Sequence, residues 1–158
     1  MLYYDDLTIG YCYGIQAPAA APYGNHEVTA EQIIAFAQSW DPRPLHTDPE
    51  AARTSTFGGL IASGAHTFAL WTRLALDAAR ESEPIAILAG LGSEFRLAAP
   101  IRPGDILDLR VEIASMRPSR SRADAGIVTA QHSMSNQRGE TVFDSRAVSL
   151  VGREGSAG

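Results

Sequence analysis

Asp41 and His46 stand five residues apart in the segment Trp40-Asp41-Pro42-Arg43-Pro44-Leu45-His46-Thr47-Asp48-Pro49. A carboxylate and an imidazole at that spacing can work on one water molecule, because imidazole exchanges protons near neutral pH and a neighbouring acid can share the water. Further along comes Phe57-Gly58-Gly59-Leu60-Ile61-Ala62-Ser63-Gly64, a glycine-containing lead into a long apolar stretch. The N–H of Gly64, at the expected start of a helix there, is a candidate oxyanion donor. The first amides of a helix lack partners within it, and its dipole favours negative charge at that end.

The elements that must position these groups follow from local pattern. Thr29 with Gln32 forms a capping box ahead of Ile33, Ile34, Phe36 and Ala37, which share one helical face and end near Trp40. Asp41-Pro42 and Arg43-Pro44 stop that helix, since proline disfavours α geometry in the residue before it. Thr47 or Asp48 caps a second, short helix that begins at Pro49 and runs through Ala51 and Ala52. Asp41 and His46 are thus expected on a stiff turn between two helix ends.

From Ser63 or Gly64 to about Arg80 the chain reads as helix, with Ala65, Phe68, Ala69, Trp71, Leu74, Ala75, Leu76 and Ala78 around most of its circumference. A helix of that kind is expected to be wrapped by sheet. Four long strands follow, at about Ala86–Leu97, Ile106–Met116, Gly126–Ser135 and Thr141–Val151, with turns at Pro100–Asp105 and Asn136–Gly139 and a longer polar connection at Arg117–Gly126. Residues 9 to 28 read as two short strands around a loop at Ala17–Pro22. The pattern predicts an α+β domain, a strongly curved antiparallel sheet rolled around a long central helix, over residues 1–152. Residues 153–158 have no apolar anchor and are expected to be disordered. A sheet of this kind covers its helix on one side and leaves edge strands, so at least a homodimer is expected.

Composition excludes several classes. A chain of 158 residues with 45% apolar residues suits one domain burying about 70% of its unfolded surface. The net charge of −5 argues against a nucleic-acid binder, and all thirteen basic residues are arginine. The longest apolar run, Ile85–Leu91, is too short to span a bilayer, and Met1–Asp6 lacks the features of a signal peptide, so a soluble, cytoplasmic protein is expected. Cys12 is the single cysteine. It is read as a small buried apolar side chain in a reducing compartment.

Other motifs fail. The chain has no lysine for a phosphate-binding loop, and Gly90-Leu91-Gly92 lacks the third glycine of a dinucleotide fingerprint. His26, His46, His66 and His132 share no metal-ligand spacing, so no metal site is expected. Ser63 reads as a helix cap rather than a nucleophile, because Ile61 stands where G-x-S-x-G would need serine. His66, two residues past Gly64, is a candidate pocket residue, with a buried hydrogen-bonded histidine as the blander reading. Arg96, Arg102, Arg117, Arg120 and Arg122 are candidate phosphate contacts, with a solvated surface as their alternative.

The segment Phe36–Thr67 resembles the active-site half of the MaoC-like dehydratases and R-specific enoyl-CoA hydratases, which have the hot-dog fold. Weaker echoes lie at Glu94-Phe95-Arg96, Pro100–Asp105 and Ser119–Arg122. The family pattern of Asp, any residue, Asn, Pro, an aliphatic residue and His maps onto Asp41, Pro44, Leu45 and His46, with Arg43 where Asn is common. A His-Gly pair whose glycine amide holds the thioester carbonyl maps onto Ser63-Gly64, with Ser63 where that His is common. Thr72 occupies a helix position where a hydroxyl often supports the site.

The resemblance implies a lyase of fatty acid metabolism that interconverts a 2-enoyl thioester and its 3-hydroxyacyl form. Its expected catalytic residues are Asp41, His46 and Gly64. Ser63, His66, Thr72 and Arg96 are its candidate substrate contacts. The expected partner is an acyl-CoA or acyl-carrier-protein thioester, with coenzyme A part of the substrate and no separate cofactor. Two rivals share the fold, a thioesterase and a non-catalytic acyl-thioester-binding subunit. Hydrolysis usually relies on a carboxylate on or near the central helix, where Gly64 to Leu76 offers none and Asp77 comes only near the end.

Overall fold

A computed structural model describes residues 1–13 and 23–155, so the expected loop at Ala17–Pro22 and residues 156–158 of the expected tail lie outside the described residues. A short 3-10 turn at Tyr4–Asp6 opens the chain. The strands are β1 (Cys12–Tyr13), β2 (Tyr23–Val28), β3 (Ile87–Leu97), β4 (Asp105–Pro118), β5 (Ala125–Ser135) and β6 (Thr141–Gly152). The helices are α1 (Ala30–Trp40), α2 (Pro44–Thr47), α3 (Pro49–Arg53) and α4 (Gly64–Glu81).

The helix boundaries have local causes. Thr29 and Gln32 form the capping box, with hydrogen bonds of 3.2 and 3.0 Å, and the Asp41 N–H closes α1 on the Ala37 carbonyl at 2.8 Å. Asp48 caps α3 by accepting from the Glu50 and Ala51 N–H groups. His46 does not sit in a plain turn. It lies inside α2, because Pro44 at the first position is already set to helical φ and needs no N–H partner there. Ser63 caps α4, its Oγ accepting from the His66 N–H at 3.1 Å.

All strand pairs are antiparallel. The sheet runs β4-β5-β6-β3, with β1 and β2 both on the outer edge of β4, at Val111–Glu112 and Asp105–Leu109 respectively. This is the hot-dog fold, a curled sheet about a helix. Alternation along β4 sends Leu107, Leu109, Val111 and Ile113 inward, where the first three meet Leu70 and Leu74 of α4 in the main core with Ile33, Met134 and Phe143. A side chain on Gly126 would overlap the Tyr4 ring, so this glycine lets the N-terminal turn lie on β5.

Sheet covers only one side of α4. Leu76 is exposed on the other, Phe68 is partly exposed where its ring meets Phe95 and Phe143 of the sheet, and on the edge strand β3 Ile87, Leu91, Phe95 and Leu97 are each at least 50% exposed. The tail departs from its expectation at its first residue. Arg153 pairs with Asp5 at 2.6 Å, lies over the Tyr4 ring, and donates its N–H to the Asp124 carbonyl. Cys12 is half-buried near Arg110 rather than fully buried. Among the described residues no helix is long and apolar enough to cross a membrane.

Two buried histidines make stability pH-dependent. His66 stacks on Phe36, and His132 accepts at Nδ1 from the Trp71 indole N–H at 3.1 Å. Burial pushes both imidazoles down from 6.5 to about 4, with His26 adding to the effect on His66. The unfolded chain therefore takes up protons near pH 6.5 that the folded chain refuses until about pH 4. Stability is expected to fall as pH drops through that window, by up to about 3 kcal/mol per histidine. Urea midpoints measured from pH 7 to pH 4.5 check this, and a flat profile would contradict it.

Candidate active site

The end of α1 and the turn of α2 bring Asp41 and His46 together. His46 is 3% exposed, and its Nδ1 lies 2.7 Å from the Ile61 carbonyl. That oxygen can only accept, so Nδ1 carries the proton and the neutral ring keeps its basic lone pair on Nε2. Nε2 is 3.6 Å from Asp41 Oδ2. Arg43 is the third member: its Nε and Nη2 donate to the two oxygens of Asp41, each at 2.7 Å, and Nη2 also lies 3.3 Å from His46 Nε2. The Arg43 hydrogen bonds, with the charge of its guanidinium adding to them against the effect of burial, hold the Asp41 carboxyl below the usual carboxylate range, so Asp41 stays ionised at neutral pH.

Beside this cluster is a cavity of about 330 Å³. Arg43, His46, Phe57, Gly64, Thr67 and Leu97 are among its walls. Asp41 is not itself a wall and meets the cavity through His46 and Arg43. Gly64 is the first residue of α4, so its N–H has no partner within the helix. A Cβ there would come within 3.0 Å of the Leu97 side chain, which makes glycine the residue that leaves the amide open to an approaching group. Arg102 holds the loop before α4 by donating to the Phe57 carbonyl at 2.8 Å, and the Ala62 N–H donates to the Ile101 carbonyl at 2.9 Å. An imidazole with a fixed tautomer and a helix-terminal amide thus share one largely apolar cavity, with an ionised carboxylate beside the imidazole and outside the cavity wall.

The profile of the MaoC like domain matches residues 16–136 of this chain. The chain belongs to the MaoC-like domain family. It is similar to the crystal structure of a MaoC-like dehydratase from Rhodospirillum rubrum, with 41% identity and a TM-score of 0.83 over 99% of this chain and 100% of that one. A 3-hydroxybutyryl-CoA dehydratase of Methylorubrum extorquens is 31% identical over 124 residues, covering 78% of this chain and 71% of that protein. The (R)-hydratase from A. caviae involved in PHA biosynthesis shares 26% identity with a TM-score of 0.65 over 90% of this chain and 96% of that one.

Within this MaoC-like chain the remaining candidates scatter. Ser63 is fully buried and occupied as the cap of α4. His66 turns toward Phe36, and Thr72 is exposed with its hydroxyl on the Phe68 carbonyl. Arg96 pairs with Asp144 at 2.7 Å and is 73% exposed. None of these four is a wall of the cavity. Among the candidate phosphate contacts, Arg122 is held by Asp124, and its loop follows the far end of β4. The 14 residues of β4 run from Asp105, which accepts from the Arg102 N–H, to Pro118, so those arginines stand at the opposite end of the strand from Arg102, and none of them is a wall of the cavity. Only Arg102 stays near, through Phe57.

Three contributors escape a reading of the sequence. Thr67 is a cavity wall three residues after Gly64, a helical spacing that could have pointed to it. The Ile61 carbonyl orients His46 through its backbone alone, and Leu97–Pro100 arrive from β3 and its exit.

Proposed function

We propose that this protein is an acyl-thioester hydratase/dehydratase that interconverts a 2-enoyl-CoA and its 3-hydroxyacyl form. The observation that carries this reading is the His46 ring, fixed by Ile61 so that its only lone pair faces Asp41 beside a cavity containing the Gly64 amide. The names of the M. extorquens dehydratase and the A. caviae hydratase support the same chemistry.

The thioester carbonyl accepts from the Gly64 N–H. Water entering between Asp41 and His46 displaces the Arg43 Nη2 contact on Nε2, and His46 takes one of its protons as the O–C bond forms at Cβ. The π electrons move toward the carbonyl oxygen, where the amide and the helix dipole stabilise the charge. Because Arg43 keeps Asp41 ionised, Asp41 holds the water as an acceptor and His46 handles the proton. The His46 imidazolium returns the proton to Cα. No cofactor enters beyond the coenzyme A of the substrate, and the protein works in the cytoplasm as at least a homodimer.

The outer edge of β3, which has no strand partner among the described residues, supports the dimer, since pairing there would cover it together with the exposed face of α4. Light scattering at micromolar concentration is expected to give twice the chain mass, and a monomer would contradict it. Thioester hydrolysis fits less well. Asp77 is thirteen residues along α4 from Gly64, about 20 Å away, and is already paired with Arg73 at 2.8 Å.

An enoyl-CoA panel followed by absorbance, with a thiol reagent present, tests the reading. Loss of enoyl absorbance without released thiol is expected. Thiol release, or no reaction with any chain length, would overturn it.

A further inference from the structure

Arg43 does more than the reaction requires. One edge of its guanidinium, Nε and Nη2, is committed to Asp41, while the Nη1 hydrogens have no hydrogen-bond partner among the described residues. The side chain is 62% exposed and lines a cavity whose other walls include Leu45, Phe57, Ile61 and Leu97. Among the described lining residues it is the only permanent cation. An arginine held in place through Nε and Nη2 presents its Nη1 hydrogens, already oriented, to a second carboxylate.

Where that carboxylate would sit rests on the hydratase reading. The carbonyl is held at Gly64 and water attacks Cβ from the Asp41–His46 side. Arg43 touches both of those residues, so it stands at the acyl end of the substrate and away from the sulfur and pantetheine. The group it meets first is a substituent on Cβ.

We propose that Arg43 selects acyl thioesters that carry a carboxylate on Cβ, which pairs with its unoccupied Nη1 edge. The net charge of −5 disfavours an additional anion in general. A preference for the more anionic ligand therefore has to come from a local contact.

Succinyl-CoA and butyryl-CoA differ by a carboxylate in place of a methyl group on Cβ. Both are saturated, so calorimetry reads binding independently of turnover. The wild-type chain is expected to bind succinyl-CoA about tenfold more tightly. In Arg43→Gln the two affinities are expected to converge, because succinyl-CoA loses the contact that butyryl-CoA never makes. In Asp41→Asn the negative charge that competes for the guanidinium is removed, and the preference for succinyl-CoA is expected to widen. Equal affinities in the wild type, a preference that survives Arg43→Gln, or a preference that shrinks in Asp41→Asn would each overturn the selection. These results leave the hydratase reading to stand or fall on enoyl turnover. Failure of the wild type to bind either thioester would overturn both. Should Arg43→Gln not fold, the Asp41→Asn comparison decides by itself.

Discussion

Replacing His46 with Gln is expected to lower the rate of enoyl-thioester hydration by about two to four powers of ten. The glutamine amide can still reach toward the Ile61 carbonyl, which accepts from His46 Nδ1 at 2.7 Å. What it cannot supply is a lone pair that takes a proton near neutral pH. His46 is buried and neutral glutamine leaves no unpaired charge in its place, so the fold should survive with a modest change in unfolding temperature. Loss should fall on kcat and kcat/KM alike, because the missing interaction belongs to the transition state. Wild-type turnover in this variant would end the proposed mechanism.

Asp41→Asn is expected to lower the rate by a similar amount, and for a different reason. The asparagine side chain keeps the size and one acceptor but loses the charge that orients the water and stabilises the imidazolium formed on His46. Arg43, bound to Asp41 through two 2.7 Å hydrogen bonds, loses its fixed partner as well. The ion pair is largely solvent-exposed on the arginine side, so the cost should appear in rate far more than in stability. Because both residues act on one water, the double variant should be little slower than the slower single variant. Multiplied losses in steady-state rates would show that they act independently.

The pH profile separates the two residues. Arg43 holds the Asp41 carboxyl ionised below the usual carboxylate range. Loss of activity on mild acidification is therefore not expected to come from Asp41 while Arg43 is in place.

The extent to which the sequence disclosed this arrangement follows the range of the interactions. Thr29 with Gln32, the prolines at 42 and 44, and Asp48 before Pro49 act over three or four residues, so the helix ends flanking the site were readable. The turn of α2 spans only four residues, too short to show a periodicity, and its helicity depends on Pro44. Strands β3 to β6 were placed within one or two residues, because alternation and the turn residues between them agree.

Contacts that join distant segments carried no such signal. The Ile61 carbonyl has no side-chain signature, and Leu97 meets Gly64 only through the curl of the sheet. Proximity in sequence misled for His66, which lies near Gly64 in the chain but turns to the opposite side of the helix, against Phe36. Arg43 read as a departure from a family pattern, and its geometry shows what replaces the usual asparagine: a cation bound to Asp41 and in contact with His46.

A crystal structure with bound butyryl-CoA tests the central claim most directly. The account predicts the thioester oxygen about 3 Å from the Gly64 nitrogen, with Cβ facing His46 Nε2 and the acyl chain against Leu97. A carbonyl held elsewhere, or an acyl chain lying along the exposed face of α4 near Leu76, would contradict it.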